Sequence, residues 1–241
     1  MNKNPKLNIG ITLWTLTSKE IRRFMRIWVQ TLVPPAVTMT LYFVIFGSLI
    51  GPRIGEMDGF DYVQFMIPGL IMMSVITNSY ANVVSSFYSV KFQKSVEELL
   101  ISPMPNWVIL LGFILGGVTR GILVGIIVFC VSLFFYPEFQ IVNLGLTITV
   151  LVLTSILFSL MGFINAVFAD SFDDISVIPT FVLTPLIYLG GVFFSIQNFP
   201  EFWKTLSFLN PLLYLINGIR YAFLGISDLE PSTTLPFSLL F

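Results

Sequence analysis

Five runs of apolar residues, each long enough to cross a lipid bilayer, dominate the 241-residue chain. A hydrocarbon core of about 30 Å needs about 20 helical residues at about 1.5 Å of rise each. Residues 27–50, 62–87, 108–135, 144–168 and 175–196 supply such lengths. A sixth run starts near Leu235 and reaches Phe241 as the chain ends, so six spans are expected of the intact protein. The composition agrees: 56% of residues are hydrophobic and 10% charged. A water-soluble domain carries roughly 25% charged residues. The fold class expected is an all-α integral membrane protein, one transmembrane domain over residues 1–241.

Several functions are excluded at this level. Histidine is absent, which removes Ser-His-Asp and Cys-His catalysis, histidine-held zinc and His proton relays. The single cysteine, Cys130, lies in an apolar run and reads as a small buried hydrophobe. A net charge of -1 suggests no nucleic-acid partner. The first 26 residues are polar and basic, so a cleavable leader is not expected and the first apolar run reads as retained. No G-x-x-x-x-G-K-[ST] phosphate loop occurs, and the span interiors lack acids of the kind a proton- or sodium-coupled carrier uses. The chain therefore conducts passively or borrows its energy from a partner. The few intramembrane charges lean toward an uncharged or amphipathic cargo.

Lys and Arg set the orientation. Lys3, Lys6, Lys19, Arg22, Arg23 and Arg26 precede the first span, and Lys91 and Lys94 follow the second. Loops of opposite parity hold only Arg53, Lys204 and Arg220, among seven acids. A cytoplasmic N-terminus follows. Trp14, Trp28, Trp107 and Trp203 fall near span ends or on interfacial segments, as an aromatic belt would have it.

Four segments carry further information. Residues 7–26 form an amphipathic stretch in which Lys19, Arg22, Arg23 and Arg26 share one helical face; it suits the cytoplasmic interface, its cations toward lipid phosphates or a partner subunit. Ser74, Asn78, Asn82, Ser85 and Ser89 make a polar stripe on the second span that cannot face lipid tails. It is open to two readings, lining a translocation path or bonding helices together. Gly112, Gly116, Gly117, Gly121 and Gly125 give the third span two small-residue ladders for close packing, within the subunit or across a dimer. Arg120, inside the same span and about 22 Å from its outer end, is placed to snorkel to the inner face, with an ion pair to Asp173, Asp174 or a substrate anion as the alternative. In the cytoplasmic loop, Ser95 and Glu98 match a capping box ahead of a short helix with Val96, Leu99 and Leu100 on one edge, stopped by Pro103 and Pro105. Such a helix docks in a groove of another protein or lies on the membrane. Residues 193–220, interrupted by Pro200 and Pro211, read as re-entrant or interfacial helices on the outer side.

Phe65-Met66-Ile67-Pro68-Gly69, Glu97-Glu98-Leu99-Leu100-Ile101-Ser102-Pro103, Gly190-Gly191-Val192-Phe193-Phe194-Ser195 and Asn210-Pro211-Leu212-Leu213-Tyr214 through Arg220 occur in that order. In sequence and spacing the whole chain resembles the type-2 permease family of ABC transporters, bacterial inner-membrane members above all. The resemblance implies a six-span exporter subunit that pairs with a second copy of itself and docks on a separate ATPase. ATP and magnesium would bind that ATPase, with no cofactor in this chain. It further implies that residues 91–103 form the coupling helix, with Lys91, Phe92, Lys94, Glu97, Glu98, Leu99, Leu100, Ser102 and Pro103 facing the ATPase. Many members carry an Arg-Glu-Gly-Thr-like run before the Leu-Leu-x-x-Pro motif; Gln93-Lys94-Ser95-Val96 stands here instead. A passive channel or carrier and a non-transporting scaffold are the alternatives.

Overall fold

The computed structural model describes residues 8–229; Lys3, Lys6, Leu7, Glu230 and the run from Leu235 lie outside them. Helix α1 (Ile9–Arg26) starts at Asn8, whose side chain accepts from the Ile11 amide, and leads through Ile27 into α2 (Trp28–Ile54). A two-residue hairpin, β1 (Glu56–Met57) and β2 (Phe60–Asp61), connects α2 to α3 (Tyr62–Phe92). The short α4 (Val96–Ile101) precedes the long pair α5 (Asn106–Phe135) and α6 (Leu144–Phe168). Next come α7 (Asp174–Leu189), a 3₁₀ turn (Ile196–Asn198), α8 (Glu201–Phe208) and α9 (Pro211–Leu224). Among the described residues, α2, α3, α5 and α6 are long and apolar enough to cross a membrane.

The bundle is built around α3. Its most apolar stretch is 83% buried inside the subunit, against 17% for α2, 28% for α5 and 33% for α6. Helices α5 and α6 pack along its length, α9 packs on it near Phe65 at its N-terminal end, and α1 packs on α5. Glycines permit the approach. A Cβ on Gly162 would sit 2.6 Å from the Tyr80 carbonyl oxygen of α3, and one on Gly112 would sit 2.7 Å from Leu16 Cβ of α1. The two glycine ladders of α5 thus serve contacts within the subunit. Gly112 and Gly116 receive α1, while Gly121 and Gly125 receive Ser79 and Val75 of α3.

Helices α2 and α7 are built differently. Both change to π-helical winding part-way, at Phe43–Ile50 and Ile178–Leu183. Pro179 and Pro185 lie within α7, and each removes an amide from the hydrogen-bond ladder. The fifth apolar helix is shorter than the span expected over residues 175–196 and falls below the length of the four membrane-length helices. Helix α7 ends at Leu189, not near residue 196, because Gly190 and Gly191 turn the chain, Gly191 at a φ of 81°.

Three smaller expectations are corrected. Cys130 is exposed on α5 rather than buried, because a span can present apolar residues to lipid as readily as to a core. Ser95 makes no capping bond, since it sits at φ -74°, ψ -6°, helical rather than extended. The reciprocal box occurs at Ser171 and Asp174: the Asp174 amide donates to Ser171 Oγ (3.2 Å), and the Ser171 amide to Asp174 Oδ2 (2.8 Å). Arg120 does not snorkel, nor does it meet Asp173 or Asp174. It turns inward, donating through Nη2 to the Thr31 carbonyl and to Asn78 Oδ1, both at 3.3 Å.

Candidate functional site

Three polar clusters stand out on this apolar scaffold. The first joins α1 to the centre of the bundle. Glu20, the one acid of α1, is 2% exposed and accepts from Ser86 Oγ (2.5 Å) and Arg23 Nε (3.2 Å). Arg23 also donates through Nη2 to the backbone carbonyl of Asn82 (3.0 Å) and to its Oδ1 (2.9 Å). A carboxylate out of water needs a partner of this kind. The polar stripe of α3 is therefore engaged from two sides, Asn82 by Arg23 and Asn78 by Arg120. Ser74 and Asn82 are fully buried, Asn78 is 7% exposed, and Ser85 bonds back to the Ala81 carbonyl of its own helix. In this conformation Ser74, Asn78 and Asn82 are covered by neighbouring helices, while Ser85 and Ser89 are half-buried. Lys19, Arg22 and Arg26 stay exposed on the free side of α1.

The second cluster is at the cytoplasmic end in the orientation derived above. Phe92, Lys94, Glu97, Glu98, Leu100 and Pro103 are exposed, while Leu99 packs against the core and Ser102 is half-buried, bonded to the Leu99 carbonyl. Lys91 turns away from them. Its Nζ donates to the Val167 and Ala169 carbonyls, both at 2.7 Å, where α6 leaves carbonyls without helical partners. Tyr88 donates to the Asp170 carbonyl beside it (2.9 Å). Two backbone amides donating to Asp174 hold its carboxyl below the ordinary carboxylate range.

The third cluster, at the opposite end, was not anticipated. Arg220 of α9 is fully buried, its guanidinium 3.9 Å above the Phe65 ring of α3. Nη1 pairs with Asp228 Oδ2 at 3.2 Å, and Nη2 donates to the Gly191 carbonyl. Asp228 in turn accepts from Ser195 Oγ (2.5 Å). Gly69 lets Val192 lie against α3, since a Cβ there would be 2.8 Å from the Val192 carbonyl oxygen. Asp58, at the tip of the β1–β2 hairpin, completes the ring with Asp228 around a cavity of about 380 Å³. Burial, then the neighbouring Asp228 carboxylate, pushes the Asp58 carboxyl above its ordinary 3.8. One guanidinium thus faces two carboxyl groups in this ring. The signals were present: an arginine inside an apolar helix, and Asp58-Gly59, a pair that suits the left-handed turn of a two-residue hairpin. Their φ angles are 51° and 84°.

Three of the sequence segments singled out earlier, around Phe65–Gly69, Gly190–Ser195 and Arg220, converge on this one ring. The profile of the ABC-2 type transporter family matches residues 12–224 and so takes in all of them. The chain belongs to the ABC-2 type transporter family. It is 61% identical over 224 residues to the inner membrane transport permease YadH of Escherichia coli K12, across 93% of this chain and 87% of that one. Nodulation protein J of Rhizobium meliloti is 26% identical over 187 residues, 77% of this chain and 71% of its own. The counterpart from Neorhizobium galegae is also 26% identical. This ABC-2 chain is thus a membrane transporter subunit, multi-pass in a bacterial inner membrane, and the family in general works with an ABC ATPase.

Proposed function

We propose that this chain is the membrane half of an ATP-driven exporter, forming the translocation path as a homodimer and taking its power stroke from a separate ATPase that binds ATP and magnesium. The observation that carries the reading is α4. This six-residue helix presents Glu97, Glu98, Leu100 and Ile101 outward, with Ile101 84% exposed, at the inner end of the most buried helix. An isolated acidic and apolar knob is costly to leave uncovered and suits a partner's groove. Behind it, Val96 and Leu99 pack on the core, so a push on α4 reaches α3.

The finer topology belongs to the same reading. The N-terminus is cytoplasmic, α1 lies in the membrane interface, a sixth span completes the subunit, and α8 with the start of α9 forms the re-entrant outer segment. The weakly buried α2 and α7 are the surfaces offered to the second copy. Tyr42 of α2 and Tyr188 of α7 share a hydrogen bond of 3.0 Å, and the Phe193 ring packs on both. The Ser74, Asn78, Asn82 and Ser85 stripe would reach a path only if α1 and Arg120 withdrew from it.

Replacing both acids, Glu97→Lys with Glu98→Lys, is expected to abolish ATPase capture and ATP-dependent flux while the permease still inserts. Undiminished capture and flux would overturn the coupling role. Flux through reconstituted wild type that ignores both ATP and vanadate would favour a channel.

A further inference from the structure

The free face of α1 carries a charge excess that no described residue balances. Residues 14, 15, 18, 19, 22, 23, 26 and 27 line a concave strip of about 640 Å³. Four of them are cations, Lys19, Arg22, Arg23 and Arg26, and none is an acid. Arg23 is already committed to Glu20 and Asn82. Lys19, Arg22 and Arg26 form no ion pair or side-chain hydrogen bond with any described residue. Glu20, the only acid on the helix, is withdrawn into the bundle. The strip therefore presents three uncompensated positive charges within two helical turns.

We infer that this strip is a binding site for the phosphate headgroup of an anionic phospholipid in the cytoplasmic leaflet. Resting on the interfacial placement of α1 proposed above, it names the lipid class that the helix selects. Charge complementarity is the first argument: guanidinium groups form paired hydrogen bonds with phosphate oxygens, and juxtamembrane cations attract anionic lipid. The second is the company the cations keep. Trp14, 70% exposed, and Ile27, 43% exposed, close the two ends of the strip. A headgroup sets its phosphate on the cations while the glycerol and first methylenes meet these apolar ends. The third is position, since Arg26 stands two residues before Trp28, where the first membrane-length helix begins.

The test uses the full-length permease without its ATPase, in nanodiscs of phosphatidylethanolamine and phosphatidylglycerol, with retained lipid measured by native mass spectrometry. Wild type is expected to enrich phosphatidylglycerol about tenfold. The triple variant Lys19→Gln, Arg22→Gln, Arg26→Gln should lose that preference, and Arg53→Gln with Lys204→Gln should keep it. Equal lipid ratios in wild type and the triple variant overturn the site. So does loss of ATPase capture in the triple variant with lipid ratios unchanged, which would assign the strip to a protein. If the triple variant fails to fold, salt decides: the wild-type enrichment should fade from about 0.05 to 1 M, where the screening length drops to about 3 Å. Enrichment indifferent to salt refutes the site. Quenching of Trp14 by brominated lipid separates the two readings. An unquenched Trp14 defeats the interfacial placement itself, whereas a quenched Trp14 without anionic preference defeats only the headgroup site.

Discussion

Arg220 shows how much one side chain can organise. It is fully buried with Asp228, and it ties α9 to the Gly191 turn and to Phe65 of α3. Removing one member of a buried pair leaves the other charged and dry, at a cost of about 3–5 kcal/mol. Arg220→Leu should therefore lower the midpoint of thermal unfolding in detergent sharply, and adding Asp228→Leu should recover part of the loss. Asp58 makes a pH prediction at the same ring. Its folded carboxyl titrates above the ordinary value, so its stabilising contribution is complete in acid and is lost as pH rises through that raised value. Proteolytic or exchange protection of the β1–β2 hairpin should fall as pH rises from about 4, and Asp58→Asn should flatten the profile. Neither residue was legible as a partner of the other beforehand. The sequence shows an arginine in an apolar helix, but the aspartates are 8 and 162 residues away along the chain, and only the packing of α9 on α3 brings them together.

Among the elements, the rods were legible and their ends less so. Helices α3, α5 and α6 begin within two residues of the expected positions because apolar composition is itself the signal. Helix α3 continues to Phe92, five residues beyond the expected Phe87, since Tyr88 and Lys91 find partners at the end of α6 and in the loop after it that no periodicity announces. The capping box failed at Ser95, whose backbone is helical, while Ser171 and Asp174 exchange the reciprocal bonds instead. Of the polar stripe, Ser74, Asn78 and Asn82 are buried inside the subunit, and the partners of the two asparagines lie on α1 and α5. Close packing yields a paired prediction. Gly162→Ala forces a Cβ to within 2.6 Å of the Tyr80 carbonyl oxygen and should cost about 1–3 kcal/mol. Gly145→Ala meets nothing nearer than Asn143 Oδ1 at 3.6 Å and should be close to neutral. Chemical unfolding of the two variants side by side checks this.

At the scale of the molecule, the distribution of burial separates a stiff centre from looser flanks. Helices α1, α3, α5 and α6 share glycine-mediated contacts and the Glu20–Arg23–Asn82 network. Helices α2 and α7 have little cover, and both contain π-helical stretches. Regions with few buried contacts open first. Hydrogen exchange in nanodiscs is accordingly expected to leave the middle of α3 slowest and the π-helical part of α7 much faster. Equal protection along both would contradict the division.

The winding of α2 and α7 has a mechanical corollary. A π turn holds one residue more than the α-helix around it needs. When such a surplus residue is handed along a rod, each side chain it passes rotates by about 100°, the angular step of an α-helix, without the rod breaking or changing its ends. Two thinly supported rods, joined by a bond from Tyr42 mid-way along α2 to Tyr188 near the end of α7, would by that step exchange the faces they show to their surroundings while the centre of the bundle stays still.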